Sequence, residues 1–151
     1  MFYLSKHIYL LERNMYRMTH IPTMFEYYSA LYLSRMYKKP FYVYRDVLSN
    51  HKEKYGFPIQ DKGIDVIDHS FRTIVQVKYY KEGNQIQYKK LSTFLATPLL
   101  VGRSDLQLIL VRPNHCTIHS DINKIISRGD LIDIAVCPKE FISYIKKINV
   151  F

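Results

Sequence analysis

Residues 61–80 read DKGIDVIDHSFRTIVQVKYY, and no other stretch limits the fold as much. Two runs rich in β-branched residues, 64–67 and 73–80, are separated by a polar break at 69–72. Such a pattern predicts a β-hairpin. In the second run Ile74, Gln76 and Lys78 share one face, while Val75, Val77 and Tyr79 share the other. That run is therefore expected to be a half-buried strand. With the turn centred on Ser70 and Phe71, Asp65 falls opposite Gln76. A carboxylate, an amide oxygen and an ammonium then meet at one spot.

This trio suits metal-assisted phosphodiester hydrolysis. A hard cation such as Mg²⁺ takes oxygen ligands from one or two carboxylates and keeps several waters. Asp65 supplies the carboxylate and Gln76 a neutral second oxygen. Lys78 polarises the attacking water or offsets charge on the pentacovalent phosphate. A plainer alternative is a cross-strand ion pair on a solvated face.

The same residues resemble the core motif of the PD-(D/E)XK nucleases, in the form with Gln at the second acidic position, and most of all Mrr-type restriction endonuclease-like domains. The resemblance is carried by Asp61, Gly63 and Asp65, then Gln76-Val77-Lys78, then Tyr79 or Tyr80, and the polar segment Gly83-Asn84-Gln85-Ile86-Gln87. Glu26, in Phe25-Glu26-Tyr27-Tyr28, matches the glutamate that such domains often carry on their first helix. The likeness spans roughly residues 23–137. It implies an α/β fold with a restriction endonuclease-like mixed sheet flanked by helices. It also implies an Mg²⁺-dependent DNA endonuclease in which Mn²⁺ substitutes. Asp65, Gln76 and Glu26 would hold the metal and Lys78 would be the catalytic lysine. Gln87 falls where the pattern often has a polar residue and is carried over as a nucleic-acid contact. Lys81, Lys89 and Lys90 are candidate backbone contacts by their charge and their place beside the hairpin, with a solvated face as the plain alternative. Members with Gln are active, and such domains are often fused to helicases, so a replication or repair protein is an implied partner.

Charge points the same way. The chain has 22 Lys and Arg against 13 Asp and Glu, a net charge of +9, which favours a polyanionic partner such as DNA. Rings interleave with cations at Tyr79-Tyr80-Lys81 and Tyr88-Lys89-Lys90. Such rings stack on bases or pack in the core. Lys52 and Lys54 are expected on a surface loop or at a phosphate. Two cysteines are too few for a disulfide scaffold, which fits an intracellular, reducing compartment. His115, Cys116 and His119 lack a fourth zinc ligand. No apolar run reaches the length of a membrane span, and the charged residues among the first 17 exclude a secretory signal there.

The periodicity predicts one domain with a helix over 4–18 and a second over 23–37 opened by a Thr23–Glu26 capping box. A strand at 41–44 and a short helix at 49–56 follow, then the hairpin and a helix over 85–97. The chain closes with a buried strand at 106–111, a short helix at 121–128, a strand at 132–137 and a helix from Pro138. Residues 1–22 read as a helical extension and 23–151 as the nuclease domain. Leu4, Ile8, Leu11, Met15 and Met18 form a stripe on the first helix that packs on the domain or on a second copy in a homodimer. Two rival functions stay open: a DNA-binding module of the same fold that does not cut, and an interaction protein docking through its first helix.

Overall fold

The computed structural model describes residues 2–60 and 62–148. Helices α1 (Phe2–Tyr16) and α2 (Ile21–Tyr37) lead into strand β1 (Phe41–Val43), a 3-10 turn (Tyr44–Asp46) and helix α3 (Ser49–Lys54). Strands β2 (Val66–Asp68) and β3 (Thr73–Val77) form the hairpin. A short strand β4 (Gln85–Ile86), a 3-10 turn (Tyr88–Lys90) and helices α4 (Ser92–Leu95) and α5 (Thr97–Val101) precede strand β5 (Gln107–Pro113). Strand β6 (Thr117–Ile118), helix α6 (Ser120–Ser127), strand β7 (Ile132–Val136) and helix α7 (Pro138–Ile148) complete the described chain.

Five strands form one mixed sheet in the order β1-β2-β3-β5-β7. The β1–β2 and β2–β3 pairs are antiparallel, and β3–β5 and β5–β7 are parallel. Parallel neighbours need crossover connections, and α4, α5 and α6 lie in them. One face, with Val66, Val75, Val77, Ile109 and Val111, packs on Met15, Phe25, Tyr28, Leu31 and Phe141 from α1, α2 and α7. The other, with Ile67, Ile74, Leu108 and Leu110, packs on Ile86, Leu91, Phe94 and Ile122. This is the mixed α/β architecture expected from the sequence.

Several local expectations are corrected. β3 is buried along its whole length, because helices cover both faces of the sheet. Alternation with polar Gln76 made it look half solvated. The single helix expected over 85–97 is broken into β4, a turn and α4. Gln85 and Ile86 instead pair in parallel with Thr117 and Ile118, a ladder whose partner lies 32 residues away and leaves no local periodicity. α2 starts at Ile21, with Pro22 in its first turn and His20 as N-cap. The Thr23–Glu26 capping box is therefore not formed. Lys52 is buried, with its ammonium donating to the Ile59 carbonyl at 3.1 Å and lying 4.3 Å from the Tyr44 ring centre. It is not a phosphate contact.

The stripe on α1 is observed, with Leu11 and Met15 buried in the core against α2. His7 joins it, holding the Phe41 carbonyl of edge strand β1 at 2.6 Å.

Gly63 shows why the loop before β2 needs a glycine. Its φ is +87°, and an added Cβ would stand 3.1 Å from Phe94 Cβ and 3.2 Å from Phe94 N. Gly63→Ala therefore combines a disfavoured backbone with a contact that must yield. The expected loss is about 1–3 kcal/mol, read from urea unfolding of the two proteins. A loss under about 0.5 kcal/mol would show that the loop relaxes freely.

Candidate active site

The hairpin register pairs Val66 with Val75 and Ile67 with Ile74. One step further places Asp65 opposite Gln76, as the turn position predicted. Asp65 is fixed on both sides: its N–H donates to the Val75 carbonyl, and its carbonyl accepts from the Tyr44 N–H, both at 2.9 Å. Its Oδ2 accepts from the Val77 N–H at 2.7 Å. The carboxylate thus replaces a backbone rung where β2 leaves β3. Its position is set by strand β3 and by the turn that follows β1.

Gln76 lies on the Ile74 side of the sheet and is 5% exposed. Its Oε1 is buried and has no hydrogen-bond partner among the described residues. A buried acceptor without a donor costs about 1–3 kcal/mol. Such atoms in native folds are commonly met by an ion or a water. Lys78, two residues on, shares that face and is half-buried. Its N–H donates to the Val111 carbonyl at 2.9 Å, so pairing with β5 continues beyond Val77 and holds its backbone. Its ammonium makes no ion pair among the described residues.

Continuing the β3–β5 register one step past Val77–Val111 puts Arg112 beside Lys78. Arg112 is already engaged: it forks onto Asp133 with two bonds of 2.9 Å and donates to the Cys116 carbonyl at 2.6 Å. Lys78 is therefore the available cation of this adjacent pair. Sequence reading missed the Arg112–Asp133 fork. Its only signal was an arginine and an aspartate at the ends of two apolar strands.

Glu26 sits on the second turn of α2. The Phe25 ring lies 4.9 Å from the Tyr79 ring, which brings the start of α2 to the end of β3. The Glu26 carboxylate pairs with Arg45 at 2.6 Å, an interaction the sequence did not suggest. Next to it, the Tyr27 hydroxyl donates to Asp46 at 2.6 Å. Burial, and then the Asp46 carboxylate, push that hydroxyl up to about 12. Among the described residues no three His, Cys, Asp or Glu side chains come together as a metal cluster. Among the described residues, the side-chain oxygens at this end of the hairpin come from the Asp65 carboxylate and the Gln76 amide. Asp61, the first residue of the motif, lies outside the described residues.

Lys81, Gln87, Lys89 and Lys90 are all exposed. Gln87 donates to Gln85 Oε1 at 2.7 Å. Lys89 and Lys90 stand on the 3-10 turn just before buried Leu91, which belongs to the same core layer as Ile74. His115 and Cys116 hold the Tyr80 carbonyl at 2.7 and 3.3 Å. They fasten the chain leaving β3 to the β5–β6 loop.

A family model described as restriction endonuclease matches residues 37–121, more than half of the chain. The matched span holds Asp65, Gln76, Lys78, Lys81, Gln87, Lys89 and Lys90. It leaves α1 and Glu26 outside. No curated protein and no solved structure matches.

Proposed function

Since the chain belongs to the restriction endonuclease family, in the Mrr-like branch of the PD-(D/E)XK nucleases, we propose that it cleaves DNA phosphodiester bonds with a divalent cation held by Asp65 and Gln76. The buried Oε1 of Gln76, without a hydrogen-bond partner among the described residues, carries this reading. It lies across the hairpin from a fixed carboxylate, and an oxygen-seeking cation satisfies both. Mg²⁺ is the natural ion for such a set, with Mn²⁺ substituting. When bound, the ion would offset phosphate charge and make water more acidic. Asp65 orients that end of the substrate through its rigid backbone attachment. Lys78 presents its ammonium to the phosphoryl oxygens as they gain charge, at a half-buried position where the interaction is stronger than in water. Glu26, paired with Arg45 on a helix that packs on the opposite face of the sheet from Gln76 and Lys78, is an accessory acid in this reading.

Lys81, Gln87, Lys89 and Lys90 hold the DNA backbone in this reading. Replacing the three lysines with alanine is expected to flatten the salt dependence of DNA binding by about one log-log slope unit per contact. Binding titrations between low and moderate salt would measure it, and an unchanged slope would remove these lysines from the interface.

A non-cutting DNA-binding module is the second reading, favoured by Gln76, a neutral group standing where a second acid would bind metal more strongly. Incubation with supercoiled, linear, single-stranded and branched DNA in Mg²⁺, Mn²⁺ or EDTA decides between them. Metal-dependent cutting is the expected result. Salt-sensitive binding without cutting in any metal would favour the module.

A further inference from the structure

We propose that the groove between α1 and the end of α7 binds a single-stranded segment of nucleic acid. Tyr9 and Tyr16 would be its stacking platforms and Arg13 and Arg17 its phosphate contacts. This names a substrate feature and rests on the DNA reading above. The groove measures about 470 Å³ and is lined by Tyr9, Glu12, Arg13, Tyr16, Arg17 and Ile148.

Three observations carry the assignment. Tyr9 and Tyr16 are 62% and 53% exposed, although α1 buries its core through Leu11 and Met15 on another side. Seven residues apart, they stand two turns from each other on one face, about 10 Å along the helix. Arg13 and Arg17 interleave with them and make no ion pair among the described residues. Rings with unpaired cations along one groove are what a strand with exposed bases requires, since each base offers a π-face and each linkage a charge. Finally, the family match begins at residue 37 and accounts for none of this surface.

Other occupants fit less well. Duplex DNA presents phosphates and needs no open rings. A membrane surface would take the apolar face of α1, and that face is already packed on α2. Glu12 is the one acid among the described lining residues of the groove.

The test uses the full chain in EDTA, so that cleavage plays no part. Anisotropy titrations with labelled oligo-dT and with a duplex of equal length would compare wild type, Tyr9→Ala/Tyr16→Ala and Tyr9→Phe/Tyr16→Phe. The alanine pair should lose about tenfold or more in affinity for oligo-dT, and about twofold or less for duplex. The phenylalanine pair keeps the rings and should stay within about twofold of wild type. A chain with 14 Tyr and no Trp also reports stacking directly, by quenching of tyrosine fluorescence that the alanine pair should diminish. Equal loss on both DNAs, no loss, or competition by polyglutamate as strong as by oligo-dT would overturn the proposal. The cleavage assay stands apart: absent cutting with this selectivity intact removes the nuclease reading alone.

Discussion

Lys78→Ala is expected to slow metal-dependent DNA cleavage by about 10²–10³-fold, the usual loss when a donor aimed at developing charge is removed. DNA binding and thermal stability should hardly change. The side chain is half-buried and forms no ion pair among the described residues, and its backbone bond to Val111 survives the substitution. Arg112 should not stand in for it, because Asp133 and the Cys116 carbonyl hold that guanidinium. Asp65→Asn provides the companion result. It keeps an oxygen able to accept from the Val77 N–H but removes the charge a cation needs, so cleavage should fall and added Mn²⁺ should restore part of it. Full activity in Lys78→Ala, measured at saturating DNA, would remove Lys78 from the chemistry and with it the motif-based site.

The hairpin shows how much of this was legible in the sequence. Its alternation and the Ser70–Phe71 turn were enough to place Asp65 opposite Gln76, because strand register is a local, period-two property. The burial of β3 on both faces was not legible. It depends on helices from both ends of the chain covering one face and on the crossover segments around Ile86, Phe94 and Ile122 covering the other. The β4–β6 ladder was hidden for a related reason: two-residue strands carry no periodicity, and their pairing is decided by tertiary contacts. Glu26 lies between these cases. Its helix was read correctly, but the capping box was displaced by an earlier start at Ile21, and its partner Arg45 comes from a turn 19 residues away. Patterns along one element were visible; polar pairs between elements were not.

The largest expected loss of stability follows from the turn that sets this register. Asp68 is fully buried at the end of β2. Its carboxylate accepts from the Ser70 hydroxyl at 2.5 Å, the Arg72 and Thr73 N–H groups at 2.8 and 2.9 Å, and the Lys39 ammonium at 3.0 Å. Burial alone would raise its pKa. The bonds from Ser70, Thr73, Lys39 and Arg72 outweigh burial and hold it below the usual carboxylate value. They also hold Phe71 at φ +56°, a costly conformation for a residue with a side chain, with its buried ring stacked 4.5 Å from Tyr55. Asp68→Ala leaves buried N–H groups unmet and Lys39 without its partner. The expected cost is about 3 kcal/mol, the lower end of the range for breaking a buried pair, because Lys39 stays a third exposed. The pH dependence follows from the lowered pKa. The ionised Asp68 contributes fully above the unfolded carboxylate pKa near 4, and its contribution disappears as pH falls through the lower folded value. Wild type should therefore lose stability below about pH 4 more steeply than Asp68→Ala, whose curve lacks this component. Urea unfolding at pH 7 and at pH 3 would measure both effects. A difference under 1 kcal/mol at pH 7 would mean that the turn is held by Phe71 packing alone. Because the same turn keeps Asp65 opposite Gln76, the variant should also cleave DNA more slowly while still folded.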